Sequence, residues 1–259
     1  MSSQILVERD GAVATVVLNR PEKLNAMTKP MWEALDRTMR EISADDSLRC
    51  VVLRGAGEKS FSPGNDIGEF ETERSNTAQA REYGKLLHSA LSAIKACRHP
   101  VVARISGICV GGGLEIAACT DIRICTASAR FGAPINRLGL VMAHTELSAL
   151  RALAGEANAM EILLEGRIYD AGAAKEMGLV NRVVEDEKLD EEVSATVQRI
   201  VDGAPLVHRW HKKFMRRLSD PTPLTAEELD EGFHCFDTED FGIGYRAFLE
   251  KKKPGFKGR

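Results

Sequence analysis

Aromatic residues and net charge are both scarce in this sequence. Aromatic side chains form only 5% of the 259 residues, too few for the stacking surfaces that bind single-stranded nucleic acid. The 35 lysines and arginines nearly balance the 38 aspartates and glutamates, so the formal charge of −3 argues against general binding of polyanions. No apolar run approaches the roughly 20 residues that span a bilayer. We therefore expect a globular protein with no nucleic-acid partner and no membrane span.

Paired cysteine motifs are also missing. None of the six cysteines belongs to a C-x-x-C pair, and most lie in apolar runs. This pattern is typical of small buried thiols in a reducing compartment. The N-terminal residues 1–4 lack the basic and then apolar pattern of a signal peptide. Together these features predict a cytoplasmic protein without disulfides.

Strand and helix patterns alternate over the first two thirds of the chain. The β-rich segments 5–9 and 12–18 flank Asp10-Gly11, a pair that favours a hairpin. Apolar residues then recur at helical spacing after Thr28, a candidate N-cap, and again over residues 77–97. Residues 50–53, 101–105 and 121–126 read as further strands, and 114–119 as a short helix. This alternation predicts an α/β fold.

Strand signals stop near residue 187. Helices are predicted over residues 187–202, 205–218, 225–236 and 239–252. We therefore divide the chain into an α/β core at residues 1–195 and a helical region at residues 196–259.

A run of three glycines opens the helix over residues 114–119. Ordering Gly111, Gly112 and Gly113 costs more conformational entropy than ordering other residues. Such a run makes sense where another group must approach the backbone closely. The first N–H groups of a helix lack partners within it and can bind an anion or a developing oxyanion. Neither a Walker loop nor the dinucleotide G-x-G-x-x-G pattern is present. The alternative is a tight strand-to-helix turn with no ligand.

Glu115 follows the glycines by less than one helical turn, among apolar residues. Burial would raise the pKa of such a carboxyl towards values useful for acid–base catalysis. Backbone N–H donors in the glycine run, next to a carboxylate, therefore indicate a reaction site. The alternative is a core glutamate paired with Arg104 or Arg123.

These residues, with others spread along nearly the whole chain, resemble the crotonase, or enoyl-CoA hydratase/isomerase, superfamily. The matching segments lie at residues 18–26, 61–67, 107–122, 131–134, 174–181 and 247–254. The resemblance implies a spiral of β-β-α turns and a C-terminal helical region that forms a trimer or a dimer of trimers. It also implies an acyl-CoA thioester as ligand, with coenzyme A as part of the substrate and no separate cofactor or metal.

The resemblance also assigns roles to residues. The backbone N–H groups of Asn65 and Gly112 would form an oxyanion hole for the thioester carbonyl, and Glu115 would transfer a proton. The substrate-binding positions implied are Lys23, Asn25, Ala26, Gly64, Asp66, Ile67, Gly111, Pro134, Ile135, Ala143, Phe248 and Lys251. Phe248 and Lys251 correspond to positions that reach the adenosine-phosphate end of CoA, commonly from a neighbouring subunit.

One position departs from the hydratase pattern. Hydratases of this family use two glutamates, and the second should follow residues 131–134, where this chain has Ile135. His144 or Glu146 could supply the missing group, or could be simply polar residues at a helix start. A hydratase-type lyase is the leading interpretation. The alternatives are decarboxylation of a malonyl-type acyl-CoA, isomerisation of an enoyl-CoA, or an inactive acyl-CoA-binding oligomer.

Two charged segments have simpler interpretations. His208-x-x-His211 has metal-ligand spacing, but five cations surround it, so we expect a solvated basic face. The acidic run over residues 220–240 follows at once, and we expect the opposite charges to pair within or between subunits.

Overall fold

Two β-sheets form the centre of the computed structural model, which describes residues 4–259. Residues 1–3 lie outside the described residues. They belong to the N-terminal segment 1–4, which we predicted not to be a signal peptide. The first sheet has the strand order β1-β2-β3-β5-β7-β10, and the second has the order β4-β6-β8-β9. The strands are β1 Ile5–Asp10, β2 Val13–Leu18, β3 Cys50–Gly55, β4 Ser60–Ser62, β5 Val101–Ile105, β6 Ile108–Val110, β7 Ile122–Thr126, β8 Arg130–Gly132, β9 Ile168–Asp170 and β10 Arg182–Val184.

A ββα unit repeats through the core. In each of three turns, one strand enters the large sheet, the next strand enters the small sheet, and a helix follows. Strands β3, β5 and β7 pair in parallel in the large sheet, while β4, β6 and β8 pair in parallel in the small one. The predicted α/β fold is confirmed, and the unit generates a spiral.

The helices of the described part pack around these sheets. Their bounds are α1 Lys29–Ala44, α2 Phe70–Glu73, α3 Thr77–Ala96, α4 Gly112–Ala118, α5 His144–Glu165, α6 Ala171–Glu176, α7 Leu189–Val201, α8 Pro205–Arg217, α9 Ala226–Glu231 and α10 Glu239–Leu249. Helix α5 is kinked at Gly155 (φ 76°), which has a left-handed backbone. Helices α1 and α3 pack side by side, with Trp32, Leu35 and Tyr83 among their buried side chains.

Most of the predicted elements are present, and the exceptions are short. The predicted hairpin joins β1 and β2 in an antiparallel pair, but its two-residue turn is Gly11-Ala12, one position later than predicted, because Asp10 still pairs with Val13. The three-residue strands β4, β8 and β9 carry too little pattern to be recognised. The single helix predicted over 225–236 is wrong, because α9 ends at Glu231 and a separate 3-10 turn covers His234–Asp237.

Helix α7 crosses the predicted boundary at residues 195 and 196. Leu189 and Val193 lie before this boundary, and Val197 and Ile200 lie after it. All four side chains pack on the same cluster of sheet residues, which includes Val52. The first part of the predicted helical region is therefore anchored to the core. The role of residues 196–259 in oligomerisation stays a prediction.

The cysteines agree with the sequence pattern. All six are free thiols, and five of them are buried. No helix within residues 4–259 has the length and apolar character needed to cross a membrane.

Basic side chains of helix α8 form ion pairs with acidic residues that follow them in the chain. Lys213 contacts Glu231, and Arg217 contacts Glu228. The predicted pairing of opposite charges is thus confirmed within one chain, and 57% of the paired Lys213 side chain is still exposed to solvent, as predicted for a basic face. Nε2 of His208 donates a hydrogen bond to the carbonyl of Ile200 at 3.1 Å, and no cluster of three metal ligands exists among residues 4–259.

The start of α4 lies unusually close to the end of β4. A Cβ atom added to Gly113 would lie 2.0 Å from the carbonyl oxygen of Ser62, far inside van der Waals contact. Because the atom met is backbone, no side chain can move aside to relieve the clash. This approach requires glycine at position 113.

We expect Gly113→Ala to lower the free energy of unfolding by about 1–3 kcal/mol, as for other overpacked sites. Alanine is the better helix former by roughly 1 kcal/mol, so a loss of stability would show that the clash dominates. Urea unfolding measures the change. Gly255→Ala is the matched control, since an added Cβ there meets no atom within 4 Å. Equal stability of the two variants would contradict the prediction.

Candidate active site

A cavity of about 120 Å³ lies where the loop after β4, the start of α4 and the start of α5 meet. A cavity of this volume has room for several water molecules or a short acyl group. Its lining includes Asn65, Ile67, Arg74, Gly111, Gly112, Glu115, Pro134, Ile135, Met142 and Glu146. A larger groove, about 680 Å³, is lined by residues of β1, β2, β3 and α7 and contains none of the predicted site residues. The smaller cavity therefore carries the candidate chemistry.

The loop that contains Asn65 is fixed by hydrogen bonds on both sides. Met27 donates to the carbonyl of Gly64, and Asp66 donates to the carbonyl of Met27, both at 2.8 Å. The Asn65 side-chain oxygen accepts from Trp32 Nε1 at 2.8 Å and from the hydroxyl of Tyr83 at 3.3 Å. The loop is thus held to α1 and α3, which keeps the Asn65 backbone in one position.

Two backbone amides lie close together at the cavity wall. A Cβ atom at Gly64 would lie 2.5 Å from the nitrogen of Gly112, and one at Gly112 would lie 3.6 Å from the nitrogen of Asn65. Gly112 is the first residue of α4, so its N–H has no acceptor within the helix. The Gly64 amide donates to Ser62 Oγ, and the Asp66 amide donates to the carbonyl of Met27. No described residue accepts from the Asn65 amide, which lies between these two. Both residues line the cavity, as a pair of oxyanion donors must.

Glu115 is the buried carboxyl of this cavity. The residue is 8% exposed, and its side chain forms no hydrogen bond or ion pair with any described residue. Burial raises the pKa of Glu115 to about 8, the nearby Glu146 adds to this rise, and Arg74 opposes it. The pairing of Glu115 with Arg104 or Arg123 is wrong, because Arg104 contacts Asp190 and Glu58 while Arg123 donates to backbone carbonyls. The carboxyl is free to face a ligand.

Ile135 lines the cavity where a second glutamate would be expected. Glu146 lines it as well, from the first turn of α5, and is buried. Its Oε1 lies 2.9 Å from Nε2 of His88 on α3, and its Oε2 accepts from the backbone N–H of Ala143. His144 is exposed to solvent and is absent from the cavity lining. Of the two replacements considered from the sequence, the fold brings only Glu146 to the cavity.

Arg74 is the cation of the cavity. Its guanidinium lies 4.8 Å from the ring centroid of Phe70 and 4.9 Å from that of Tyr83. Its Nη1 is buried and has no hydrogen-bond acceptor among residues 4–259. This group can therefore balance the carboxyl of Glu115 or bind an acceptor on a ligand.

Other predicted positions hold the surrounding loops. Asn25 is fully buried and donates to the carbonyls of Ala56 and Ser60, at 3.0 and 2.7 Å. Asp66 accepts from Arg20 at 2.6 Å, and this contact lowers the pKa of its carboxyl. Lys23 and Ala26 belong to the same turn, joined by a bond from the Ala26 amide to the Lys23 carbonyl. Their predicted contact with CoA stays a prediction.

The last two predicted positions lie at the end of α10. Phe248 is 82% exposed, and neither Phe248 nor Lys251 lines the cavity of its own chain. This location fits the expectation that they serve a neighbouring subunit, which stays a prediction. Ala143 caps α5 beside the cavity.

Sequence reasoning missed four residues that shape the site. Trp32 and Tyr83 hold Asn65, Arg74 faces Glu115, and His88 contacts Glu146. Trp32 and Tyr83 fit the apolar faces of their helices, so only their polar atoms distinguish them from core residues. Arg74 lies between two helices in a polar stretch that carries no motif.

Comparison with known proteins agrees with this geometry. Residues 8–259 match the family model described as enoyl-CoA hydratase/isomerase. The chain is 35% identical to a short-chain-enoyl-CoA hydratase of Clostridium acetobutylicum, over 99% of each sequence. It is 32% identical to a crotonyl-CoA hydratase of Syntrophomonas wolfei, over 97% of each. A crystal structure of an enoyl-CoA hydratase/carnithine racemase from Magnetospirillum magneticum superposes with a TM-score of 0.98 at 52% identity, covering 100% of this chain and 97% of the other.

These matches extend over almost the entire chain and include both sheets, the cavity and the C-terminal helices. They confirm the predicted crotonase fold. The chain belongs to the enoyl-CoA hydratase/isomerase family of the crotonase superfamily.

Proposed function

We propose that the protein is a lyase that adds water to the Cα=Cβ bond of a short enoyl-CoA, or removes it in reverse. The observation that carries the proposal is the buried Glu115 facing a cavity whose wall presents the amides of Asn65 and Gly112. Relatives named as hydratases of short-chain enoyl-CoA and crotonyl-CoA support the same reaction and substrate class. The coenzyme is part of the substrate, and the proposed reaction uses no other cofactor.

The two amides stabilise the intermediate. Attack of water at Cβ moves the Cα=Cβ electron pair towards the thioester carbonyl, whose oxygen becomes an enolate. The N–H groups of Asn65 and Gly112 donate to that oxygen, and such a donor contributes about 3 kcal/mol in a dry site. Because both donors belong to the backbone, they are held by the fold and need no rearrangement during the reaction.

Glu115 supplies the proton that Cα takes up. With a pKa of about 8, the buried carboxyl is protonated at neutral pH and can donate when the enolate collapses. In the reverse reaction the carboxylate removes the same proton. The side chain has no competing partner, so its proton is directed at the ligand.

A second candidate reaction is decarboxylation of a malonyl-type acyl-CoA. The buried Nη1 of Arg74 has no acceptor among the described residues, and it lies in the cavity with Ile135. A guanidinium binds a carboxylate well, and a decarboxylase needs the oxyanion donors but only one proton donor. Release of CO2 from methylmalonyl-CoA, with no loss of enoyl-thioester absorbance, would favour this reaction. Tight binding of CoA thioesters without any turnover would favour an inactive binder.

The first prediction concerns turnover. On mixing with crotonyl-CoA, the protein should remove the absorbance of the enoyl thioester and form 3-hydroxybutyryl-CoA. Glu115→Gln should reduce kcat by about 10²- to 10⁴-fold, because the amide cannot donate the proton. Glu156→Gln is the control, since that carboxylate is exposed on α5. A near wild-type rate for Glu115→Gln would exclude the proposed role.

The second prediction concerns the pH dependence of stability. The pKa of Glu115 is about 8 in the folded protein and 4.5 for an ordinary glutamate. Its neutral form therefore stabilises the fold fully below pH 4.5, and this contribution is lost as the pH rises through 8. Between these values the free energy of unfolding of the wild type should fall relative to Glu115→Gln by about 1.4 kcal/mol per pH unit.

Urea unfolding of both proteins at a fixed concentration, between about pH 5 and 9, measures this difference. The same comparison with Glu156→Gln should be flat, because that side chain is exposed. A flat difference for Glu115→Gln would show that its carboxyl is not buried in solution.

The third prediction concerns assembly into a trimer or a dimer of trimers. Exposed apolar side chains are frequent in the C-terminal region, among them Met215, Leu218, Phe233, Phe236, Phe248 and Leu249. Apolar surface of this extent is typical of subunit contacts. Light scattering should give a mass near 85 or 170 kDa, three or six times the chain mass of 28.4 kDa. A mass of about 28 kDa would contradict the proposal.

A further inference from the structure

We infer that Glu146, oriented by His88 and by the amide of Ala143, is the second proton-transfer group of the site. The inference rests on the proposed hydration reaction. It is carried by the presence of two buried carboxyl groups, those of Glu115 and Glu146, in one cavity where Ile135 supplies no proton.

The position of Glu146 is unusual for a residue that only caps a helix. A glutamate at the third position of a helix often accepts from the N-cap N–H, and Glu146 does so with Ala143. Glu228 does the same for Thr225 at the start of α9. The Glu228 side chain is 32% exposed and contacts Arg217, whereas that of Glu146 is 11% exposed and reaches the cavity. Capping alone requires no burial against the ligand site.

The contacts of Glu146 leave it able to take a proton. The Ala143 N–H donates to one oxygen, and His88 lies 2.9 Å from the other, so the ionised carboxylate is held by two neighbours. Each carboxylate oxygen has a second lone pair available for a water molecule. His88 lies on α3, which packs against α5, and it is 32% exposed by side chain, so it connects the buried carboxylate to the outside. His88 is a positioning residue, because it acts through Glu146.

The two carboxyl groups complete the proton balance of hydration. One O–H bond of water breaks, its proton passes to Glu146, and the oxygen forms a bond to Cβ. The Cα=Cβ electron pair shifts to give the thioester enolate, which then collapses as Cα takes the proton of Glu115. Glu115 ends ionised and Glu146 ends protonated, so the pair holds one proton before and after the step. Transfer of that proton back, through solvent or His88, resets the site.

The decisive variant is Glu146→Gln. Its amide oxygen still accepts from Ala143, so the cap of α5 is kept. The atom that faces His88 becomes an NH2 group, and the side chain can no longer accept a proton. We expect kcat with crotonyl-CoA to fall by about 10²- to 10⁴-fold. The affinity for butyryl-CoA, a saturated thioester that cannot react, should change by less than about 3-fold. Glu228→Gln is the matched control, a capping glutamate outside the cavity, and should keep the wild-type kcat.

Two further variants separate chemistry from folding. Glu146→Ala should lose turnover and regain part of it on addition of formate, a small carboxylate that can occupy the vacated space. His88→Ala should lower kcat by about 10- to 100-fold, the effect of one hydrogen bond to a charged group, with little change in butyryl-CoA affinity. His88→Gln, which can still donate, should lose less.

The outcomes distinguish this inference from the proposed function. If the wild type hydrates crotonyl-CoA and Glu146→Gln keeps a near wild-type kcat, Glu146 only caps its helix and the inference is wrong, while the proposed function stands. Loss of butyryl-CoA binding in Glu146→Gln, together with no formate rescue of Glu146→Ala, would equally assign a purely structural role. If the wild type hydrates no enoyl-CoA, the proposed function and the inference both fail.

Discussion

The close approach of two backbone segments, residues 64–65 and 112–113, is the constraint on which the site depends. The end of β4 and the start of α4 come together because no side chain stands between them. Cβ atoms added to Gly64 and Gly113 would fall 2.5 and 2.0 Å from neighbouring backbone. The parallel pairing of β4 with β6 carries the second segment to the first. Two unpaired amides thereby face one cavity. The proposed pair of oxyanion donors is made of backbone, so its geometry follows from the fold.

The charges of the cavity depend on this enclosure. Glu115 has no partner and is buried, so its neutral form is favoured, and the proximity of Glu146 works in the same direction. Two like-charged groups in one small space share a proton more readily than they both ionise. Arg74 limits the effect by favouring the ionised form of Glu115. Burial and Glu146 together outweigh Arg74, which leaves the pKa of Glu115 at about 8.

Much of the fold could be predicted, because its long elements carry strong periodicity and its loops carry glycine motifs. Glu115 and the glycine run stood out in the sequence because a carboxylate among apolar residues and clustered glycines are costly without a use, whereas the roles predicted for Asn65 and Gly112 rest on the family resemblance. His88, Arg74 and Trp32 could not be identified in this way. Each joins the site through contacts with residues far away in sequence. His88 and Glu146, for example, are 58 positions apart. A single sequence contains no local signal for such a pairing, and the short strands that create it are equally weak.

In the proposed mechanism, Glu146 supplies the group that the hydratase pattern would place at Ile135. The segment after β8 and the first turn of α5 line the same cavity, so a carboxyl lost from one can be supplied by the other without moving the backbone. The new carboxyl needs donors to hold it, and the N-terminus of α5 provides one in the Ala143 amide. It also needs a neighbour across the cleft, which α3 provides in His88. Because the proposed oxyanion donors are backbone groups fixed by packing, this mechanism differs from the two-glutamate pattern only in the side chain that takes the proton from water.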